Sequence, residues 1–316
     1  APLLAVVTAG WGRRALLMAL LGGYALANLA TALVPGALAV GFTRFAAGLP
    51  HGTYFGVAAL VAAALSPPQQ RARAVGLVMM GLATATLAGV PLATWLGQQF
   101  GWRAAFGFVG AIALLAMALV RAALPALPAD AGASPLRELG ALARPQVWLT
   151  LGVAAIGFGG MFCVFSYVKP TLIEVTGMAL DRVPLALSLF GLGCIGGNLF
   201  GARLADRALM PTIAGTLLYS ALLLAAFGLL ARQVPTALLA VFGLGGIVAL
   251  GPALQIRLMD VAGDAQTLAA ALNHSAFNLA NALGAALGGA AVAAGWGWSS
   301  LGGVGAGLAL GGLLVF

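Results

Sequence analysis

Three polar side chains stand at helical spacing inside an apolar stretch of the last third of the sequence. His274, Asn278 and Asn281 are separated by four and three residues, so on a helix they share one face. Imidazole and amide groups on one face could bind a polar solute in a membrane cavity. They could equally hydrogen-bond a neighbouring helix, at about 0.6 kcal/mol per bond. The sequence favours the cavity for His274 and Asn278 and leaves both possibilities open for Asn281.

One arginine lies well inside the apolar segments of residues 1–121. Arg44 is followed at helical spacing by His51 and Phe55, which places all three on one stripe. A guanidinium near the bilayer centre costs about 3 kcal/mol, so we expect Arg44 to face a cavity or a partner in the solute or proton pathway. The alternatives are that Arg44 snorkels to the interface and that His51 bonds a neighbouring carbonyl.

An aromatic group is the third candidate. The predicted span at 147–168, which Lys169 follows, contains Phe162, Ser166 and Tyr167 near its end. Aromatic side chains commonly line apolar ligand sites, so these residues are candidates for the solute pathway. The alternative is that the phenylalanine faces lipid.

Small and helix-breaking residues mark two further spans. Pro91 removes a backbone hydrogen bond and bends a helix, and Gly89 lies just before it. Gly284 and Gly288 are four residues apart, which lets a neighbouring helix approach closely. We expect these four positions to serve in gating or packing.

The elements that position these residues must be membrane helices. The mean hydropathy is +1.06 and 7% of residues are charged, against about 25% in soluble domains. Apolar runs of about 20 residues, each long enough to cross a bilayer, recur along the chain. This predicts an all-α polytopic membrane protein. The predicted spans are a partial one at 1–9 and full ones at 15–33, 37–65, 74–95, 103–120, 147–168, 183–202, 209–230, 236–256, 266–293 and 299–316.

Several other classes of protein are disfavoured. Cys163 and Cys194 lie in apolar runs, so we interpret them as small buried hydrophobic residues rather than as a disulfide. The net charge of +8 comes from arginines scattered between spans, which is not the pattern of a nucleic-acid-binding face. No metal-ligand spacing, phosphate-binding loop or nucleophile motif is present. The sequence therefore predicts neither an enzyme nor a cofactor.

Arginine distribution predicts the sidedness of the chain. Alternate connections hold ten arginines on one side, and four basic residues lie on the other. By the positive-inside rule the arginine-rich side is cytoplasmic. The predicted cytoplasmic connections are residues 9–14, 66–73, 121–145, 203–210 and 257–265.

The chain is predicted to contain two related halves. Residues 122–145 form the one long polar, proline-rich connection, and they separate an N-terminal half, 1–121, from a six-span half, 146–316. A basic residue, Ala-Leu, a span and Val-Pro occur in the same order in both, with Val34-Pro35 and Val234-Pro235 at an offset of 200. Internal repeats of this kind are typical of transporters.

Four segments carry a family resemblance: RFAAGLPHGTYFGVAALVAA from residue 44, GLATATLAGVPLATWLGQQFGWRAAF from residue 81, FSYVKPTLIEVTG from residue 165 and AQTLAAALNHSAFNLANALGAALGG from residue 265. Through them the chain resembles the major facilitator superfamily, specifically the twelve-span drug:proton antiporters and their arabinose-efflux permease branch. The resemblance implies proton-coupled efflux of a small organic solute, a sugar or a drug-like molecule, by alternating access. It also implies a monomer in the bacterial inner membrane that contacts lipid and is powered by the proton gradient. Arg44 matches an arginine that the family uses in proton coupling.

The chain departs from the family pattern at its cytoplasmic signature. The second half keeps Leu-Ala-Asp-Arg, with Asp206 and Arg207 as expected gating residues, but Ala9 stands where the first half would carry an aspartate. From the repeat offset we also expect roughly fifty residues to be missing before Ala1. The family resemblance implies that this missing part carries the acidic proton carrier. The chain alone would then be inactive, with an unfilled groove beside residues 1–9 and 74–95.

Two alternatives to efflux stay open from the sequence. One is proton-coupled uptake of a solute, and the other is a polytopic protein that transports nothing, such as a receptor or an enzyme. Solute flux into proteoliposomes under an imposed pH gradient separates transport from the last of these.

Overall fold

The computed structural model describes residues 2–8, 10–125 and 135–316, and all regular structure in these ranges is helical. Ala9 and residues 126–134 of the predicted linker lie outside the described ranges. The α-helices are α1 (Pro2–Val7), α2 (Arg13–Leu33), α3 (Ala37–Ala64), α4 (Arg71–Thr84), α5 (Val90–Phe100), α6 (Trp102–Ala123), α7 (Pro135–Leu139), α8 (Pro145–Gly152), α9 (Gly159–Phe165), α10 (Val168–Glu174), α11 (Val183–Arg207), α12 (Leu209–Leu230), α13 (Val234–Gly246), α14 (Leu250–Ala262), α15 (Gln266–Ala293) and α16 (Leu301–Val315).

Ten helical segments of the described chain are long and apolar enough to cross a membrane. This confirms the prediction of an all-α polytopic membrane protein with ten full spans. They are Arg13–Leu33, Ala37–Ala64, Pro68–Gly89, Trp102–Ala123, Pro145–Phe165, Leu180–Arg207, Leu209–Leu230, Val234–Ala262, Gln266–Ala293 and Trp298–Val315.

Two spans contain a single π-helical turn. One turn covers Ala85–Gly89, between α4 and α5, and the other covers Val153–Gly157, between α8 and α9. Gly89 closes the first of these turns, and Pro91 then lies in the first turn of α5. The helix continues from the π turn into α5 without a break, so the proline, which has no N–H to donate, directly follows the wider hydrogen-bond spacing of that turn. The helix is therefore irregular where the sequence predicted a bend.

Contacts divide the chain into two compact units. Unit 1 consists of Ala1–Val61, Ala88–Arg144 and Ala262–Ser275, and unit 2 consists of Ala62–Leu87, Pro145–Val261 and Ala276–Phe316. In unit 1, α2 packs on α3 through an apolar cluster that includes Leu16, Leu20, Val57 and Val61. The predicted division into related halves, 1–121, 122–145 and 146–316, stays a prediction.

Unit 2 is held together by helices that touch backbone to backbone. Gly193 and Gly197 of α11 face α13: a Cβ on Gly193 would lie 2.0 Å from the Phe242 carbonyl oxygen, and one on Gly197 would lie 2.8 Å from that of Gly246. Such positions admit only glycine, because the obstacle is main chain and cannot rotate away.

The predicted glycine pair of α15 also lies at a close helix contact. A Cβ on Gly284 would lie 2.3 Å from the carbonyl oxygen of Gly159, and one on Gly288 would lie 3.0 Å from the Tyr167 ring and 3.1 Å from the carbonyl oxygen of Cys163. The nearby thiol of Cys163 and that of Cys194 are buried and free, as the sequence predicted.

Candidate functional site

Arg44 is the centre of a polar cluster in unit 1. Its Nη2 donates to the Asn28 Oδ1 at 3.1 Å and to the Thr31 Oγ1 at 2.8 Å, and its Nε donates to the same hydroxyl at 3.1 Å. The guanidinium carbon stands 4.4 Å from the centre of the Phe106 ring. Hydrogen bonds to a charged group contribute about 1.5–3 kcal/mol each, and a cation over an aromatic face contributes about 0.5–2 kcal/mol. These contacts offset much of the cost of placing the guanidinium in a membrane segment.

The local sequence explains why α2 presents these partners. Tyr24, Asn28 and Thr31 are spaced by four and three residues, so they follow one stripe of the helix. Asn28 and Thr31 are 1% and 0% exposed, and a buried amide or hydroxyl needs a hydrogen-bond partner. Asn28 Nδ2 donates to the Tyr24 carbonyl and Thr31 Oγ1 donates to that of Ala27, each at 2.8 Å, which leaves their oxygens to receive Arg44.

No carboxylate oxygen lies within 4.0 Å of the Arg44 guanidinium in the part of the chain that the structure describes. Every hydrogen-bond acceptor around it is uncharged. The positive charge is therefore held in position without being neutralised, and it is available to an anionic group that approaches it.

A line of rings in unit 1 connects both histidines. The ring centres of Tyr24 and His51 are 6.2 Å apart, those of His51 and Phe55 are 5.1 Å apart, and those of Phe55 and His274 are 4.7 Å apart. Gly56 makes this approach possible, since a Cβ there would lie 2.8 Å from the backbone of α15. Two imidazoles that are 223 positions apart in the sequence, 274 minus 51, thus flank one phenyl ring.

The aromatic candidates of unit 2 form a second cluster. The Phe158 ring lies 5.4 Å from Phe162 and 4.9 Å from Phe277. The Tyr167 hydroxyl donates to the Ala285 carbonyl oxygen at 2.8 Å, so this side chain holds α15 against the span that contains α9. Ser166 is exposed. Roles of Phe162, Ser166 and Tyr167 in a solute pathway stay predictions.

The two asparagines of α15 differ from buried structural amides. Asn278 and Asn281 are both exposed, and neither side chain hydrogen-bonds a residue in the described ranges. Amides that joined helices would be paired and buried. Their proposed role in a pathway stays a prediction.

Asp206 and Arg207 lie in the predicted cytoplasmic connection of unit 2. The Asp206 carboxylate accepts from the backbone N–H groups of Ala72 at 2.7 Å and Arg73 at 2.9 Å, at the positively polarised start of α4. Arg207 lines a groove of about 770 Å³ together with Tyr219.

An ion pair joins Arg71 Nη1 to Asp260 Oδ1 at 3.0 Å, with both side chains partly exposed. The sequence places Asp260 beside a cytoplasmic connection as a solvated acid rather than a proton carrier. No group of three histidine, cysteine or acidic side chains that could hold a metal ion occurs among the described residues.

Sequence reasoning missed the partners of the candidate residues. Asn28, Thr31 and Phe106 surround Arg44, and Glu138 of the linker is buried against α15. The polar spacing on α2 is a usable signal for the first two. Nothing in the spacing of Phe106 or Glu138 indicates which distant residue each one contacts.

Ten membrane-length helices in the described part of the chain, with an arginine and two imidazoles in contact with aromatic rings, define the class as a polytopic membrane protein. The sequence model of the Major Facilitator Superfamily matches residues 1–267. The chain belongs to this family, which confirms the resemblance found in its motifs. It is a transporter of small molecules and not an enzyme.

Named relatives and a solved structure agree with this assignment. The chain is 38% identical over 320 residues to the inner membrane transport protein YdhP of Escherichia coli (strain K12), covering 100% of this chain and 82% of that one. It is 30% identical over 286 residues to a probable sugar efflux transporter of Pasteurella multocida (strain Pm70), with 90% and 70% covered. The crystal structure of the Escherichia coli fucose:proton symporter FucP matches 99% of this chain and 85% of its own, with a TM-score of 0.77 and 15% identity. The last match shows the fold alone.

Proposed function

We propose that the chain exports a small organic solute, a sugar or a drug-like molecule, in exchange for protons, by alternating access in the bacterial inner membrane. The observation that carries the proposal is the Arg44 cluster, in which a positive charge inside an apolar span is held, among the described residues, by uncharged groups alone. An apolar side chain at this position would cost less in a membrane, and we therefore interpret the guanidinium as a functional group. The names of the relatives, an inner membrane transport protein and a probable sugar efflux transporter, support both the location and the direction.

Proton coupling requires a group whose charge changes during the cycle. Histidine is the side chain type that gains and loses a proton near neutral pH, and His51 and His274 share the Phe55 ring in the unit that holds Arg44. Residues 1–129 contain no aspartate or glutamate. We therefore assign the proton pathway of the described spans to Arg44, His51 and His274, with the proton gradient as the energy source and no cofactor.

The solute pathway of the proposal includes Asn278 and Asn281, whose exposed amides offer donors and acceptors to hydroxyl or carbonyl groups. Phe162, Ser166 and Tyr167 add an aromatic surface suited to a sugar face or a lipophilic drug. In this proposal the protein acts as a monomer that meets lipid on its outer surface, and nucleic acid has no part.

The test is flux in proteoliposomes that hold the purified full-length chain and a pH-sensitive dye. A panel of labelled sugars and lipophilic drugs is offered with an imposed pH gradient. Efflux exchange is supported when a solute moves against the proton flow and a protonophore abolishes the movement. Movement of solute and protons in the same direction contradicts exchange and establishes uptake.

The test variants are the two single substitutions His51→Gln and His274→Gln. Arg232→Gln, on an exposed connection, is the control. We expect the histidine variants to lose proton-coupled flux while exchange of unlabelled for labelled solute persists, since that exchange needs no net proton transfer. Normal coupling in both histidine variants removes them from the proton pathway.

A further inference from the structure

The linker segment at residues 135–144 buries its acid and exposes its leucines. Glu138 is 3% exposed and Ala141 is 0% exposed, whereas Leu136 is 82% exposed. A surface helix shows the opposite pattern, and a glutamate is almost never fully buried unless it is paired. Glu138 must therefore have a partner that offsets its burial.

That partner is the start of α15. The Glu138 Oε2 accepts from the backbone N–H of Leu268, the third residue of the helix, at 2.8 Å. The first N–H groups of a helix have no intrahelical acceptor and carry a partial positive charge. Ala265, just before α15, has no side-chain oxygen that could cap them. A carboxylate from a distant segment supplies the missing cap.

Two arginines reinforce this contact from either side. The Arg13 Nη1 donates to the Thr267 Oγ1 at 2.6 Å. The Arg144 guanidinium covers Gly263, where a Cβ would lie 2.6 Å from its Nη2 and where φ is +60°. Below the polar groups is an apolar cluster of Ala141, Ala265, Leu268 and Ala271. We use the name linker contact for the set formed by Glu138, Arg13, Arg144 and the residues that these three side chains contact.

The same arrangement occurs independently in unit 2. Asp206, from the Leu-Ala-Asp-Arg signature, accepts from the N–H groups of Ala72 and Arg73 at the start of α4. In the first half the corresponding position of the signature is Ala9, which has no carboxylate. Glu138 thus makes for α15 the kind of contact that Asp206 makes for α4.

We propose that Glu138 is a positioning residue of the transport cycle: it closes the cytoplasmic side by holding the start of α15, in place of the acid that the first half lacks. The proposal rests on alternating access. The Glu138 carboxylate accepts from the Leu268 N–H only while the contact is closed, so in this proposal each cytoplasmic opening breaks that hydrogen bond. Its loss should shift the population of the protein towards states that are open to the cytoplasm.

The experiment is hydrogen exchange of the full-length chain in lipid nanodiscs, on wild type, Glu138→Ala, Glu138→Asp and Glu174→Ala. Glu174 is an exposed acid outside the linker contact and is the matched control. We expect Glu138→Ala to speed exchange about tenfold at residues 266–270, since a charge-assisted hydrogen bond is lost. We also expect slower exchange at residues 97–103, on the predicted external side, and partial recovery in Glu138→Asp.

The reciprocal change is the decisive readout. A cap that only stabilises α15 would speed exchange at residues 266–270 and leave residues 97–103 unchanged, and that result overturns the proposal. Equal exchange in wild type and Glu138→Ala overturns it too. Because exchange is measured without solute, these outcomes stand even where the proposed efflux activity fails, and a flux assay on the same samples reports that failure separately.

Discussion

Arg44 shows how one side chain can be costly for the membrane and yet fixed in place. Asn28, Thr31 and Phe106 bind the guanidinium from two helices without changing its charge. The contacts define its direction, and the absence of a carboxylate among the described neighbours leaves its charge available. This combination favours a functional role for Arg44 over a purely structural one.

We expect Arg44→Ala to lower gradient-driven flux at least tenfold while the folded yield is largely kept, because the variant removes a charge whose burial was itself costly. Arg44→Lys should restore only part of the flux, since an ammonium lacks the planar fork that reaches Asn28 and Thr31 together. The measurement is proteoliposome flux with the yield of monodisperse protein. Arg182→Ala, an exposed arginine, serves as the control. Full flux in Arg44→Ala would remove the residue from the mechanism.

Asn278 tests the two interpretations of the polar stripe on α15. Its side chain is exposed and hydrogen-bonds no residue in the described ranges, so Asn278→Ala should leave the Tm unchanged and reduce flux. Leu279→Ala, at the next exposed position of the same helix, controls for the loss of side-chain volume. If the amide instead joins two helices, Asn278→Ala should lower the Tm and leave flux intact. Measuring the Tm and the flux of the same variant decides between the two interpretations.

At the element scale, α11 offers a direct comparison of neighbouring glycines. A Cβ on Gly193 would meet the Phe242 carbonyl oxygen at 2.0 Å, while one on Gly196 would meet nothing within 4 Å. Gly193→Ala should destabilise the protein by about 1–3 kcal/mol or prevent folding, since main chain would have to shift. Gly196→Ala should be neutral or stabilising by up to about 1 kcal/mol, from helix propensity. Thermal unfolding measures both, and equal Tm values would contradict the contact between α11 and α13.

Helix ends show where hydropathy stops being informative. The predicted spans 209–230 and 266–293 coincide with α12 and α15, whereas the predicted 183–202 falls inside α11, which continues to Arg207. The length of an apolar run reflects the thickness of the hydrocarbon core. The helix itself can extend beyond that core into water, because polar residues also adopt helical backbone. Arg203 and Asp206 end the apolar run without ending the helix.

At the scale of the whole molecule, the arginine count predicts which connections face the cytoplasm. Gln69 and Gln233 lie in exposed connections predicted to be on opposite sides, and both native thiols are buried. Gln69→Cys should react with an impermeant maleimide only in inverted vesicles, and Gln233→Cys only in intact cells. Labelling of both variants from the same side would contradict the predicted topology.

The span number, the helical class and the family could be predicted because they depend on local composition and short motifs. The meeting of His51 and His274 on Phe55 could not, since α3 and α15 are joined only by tertiary packing around Gly56. The buried position of Glu138 could not be predicted, for a related reason. An acid in a proline-rich linker is expected to be solvated, and only the fold shows that an uncapped helix start lies beside it.

The buried position of Glu138 also bears on how the gene can be divided for two-fragment expression or insertion of a fluorescent reporter. The linker is the obvious place to cut. A cut after Arg144 keeps Glu138 on the first fragment, apart from Leu268, so their hydrogen bond would report directly on whether the fragments reassemble. A cut just before Pro135 places the acid and its amide on one polypeptide, where they can meet without the first fragment. The two ways of dividing this chain are therefore not equivalent, although only ten residues separate them.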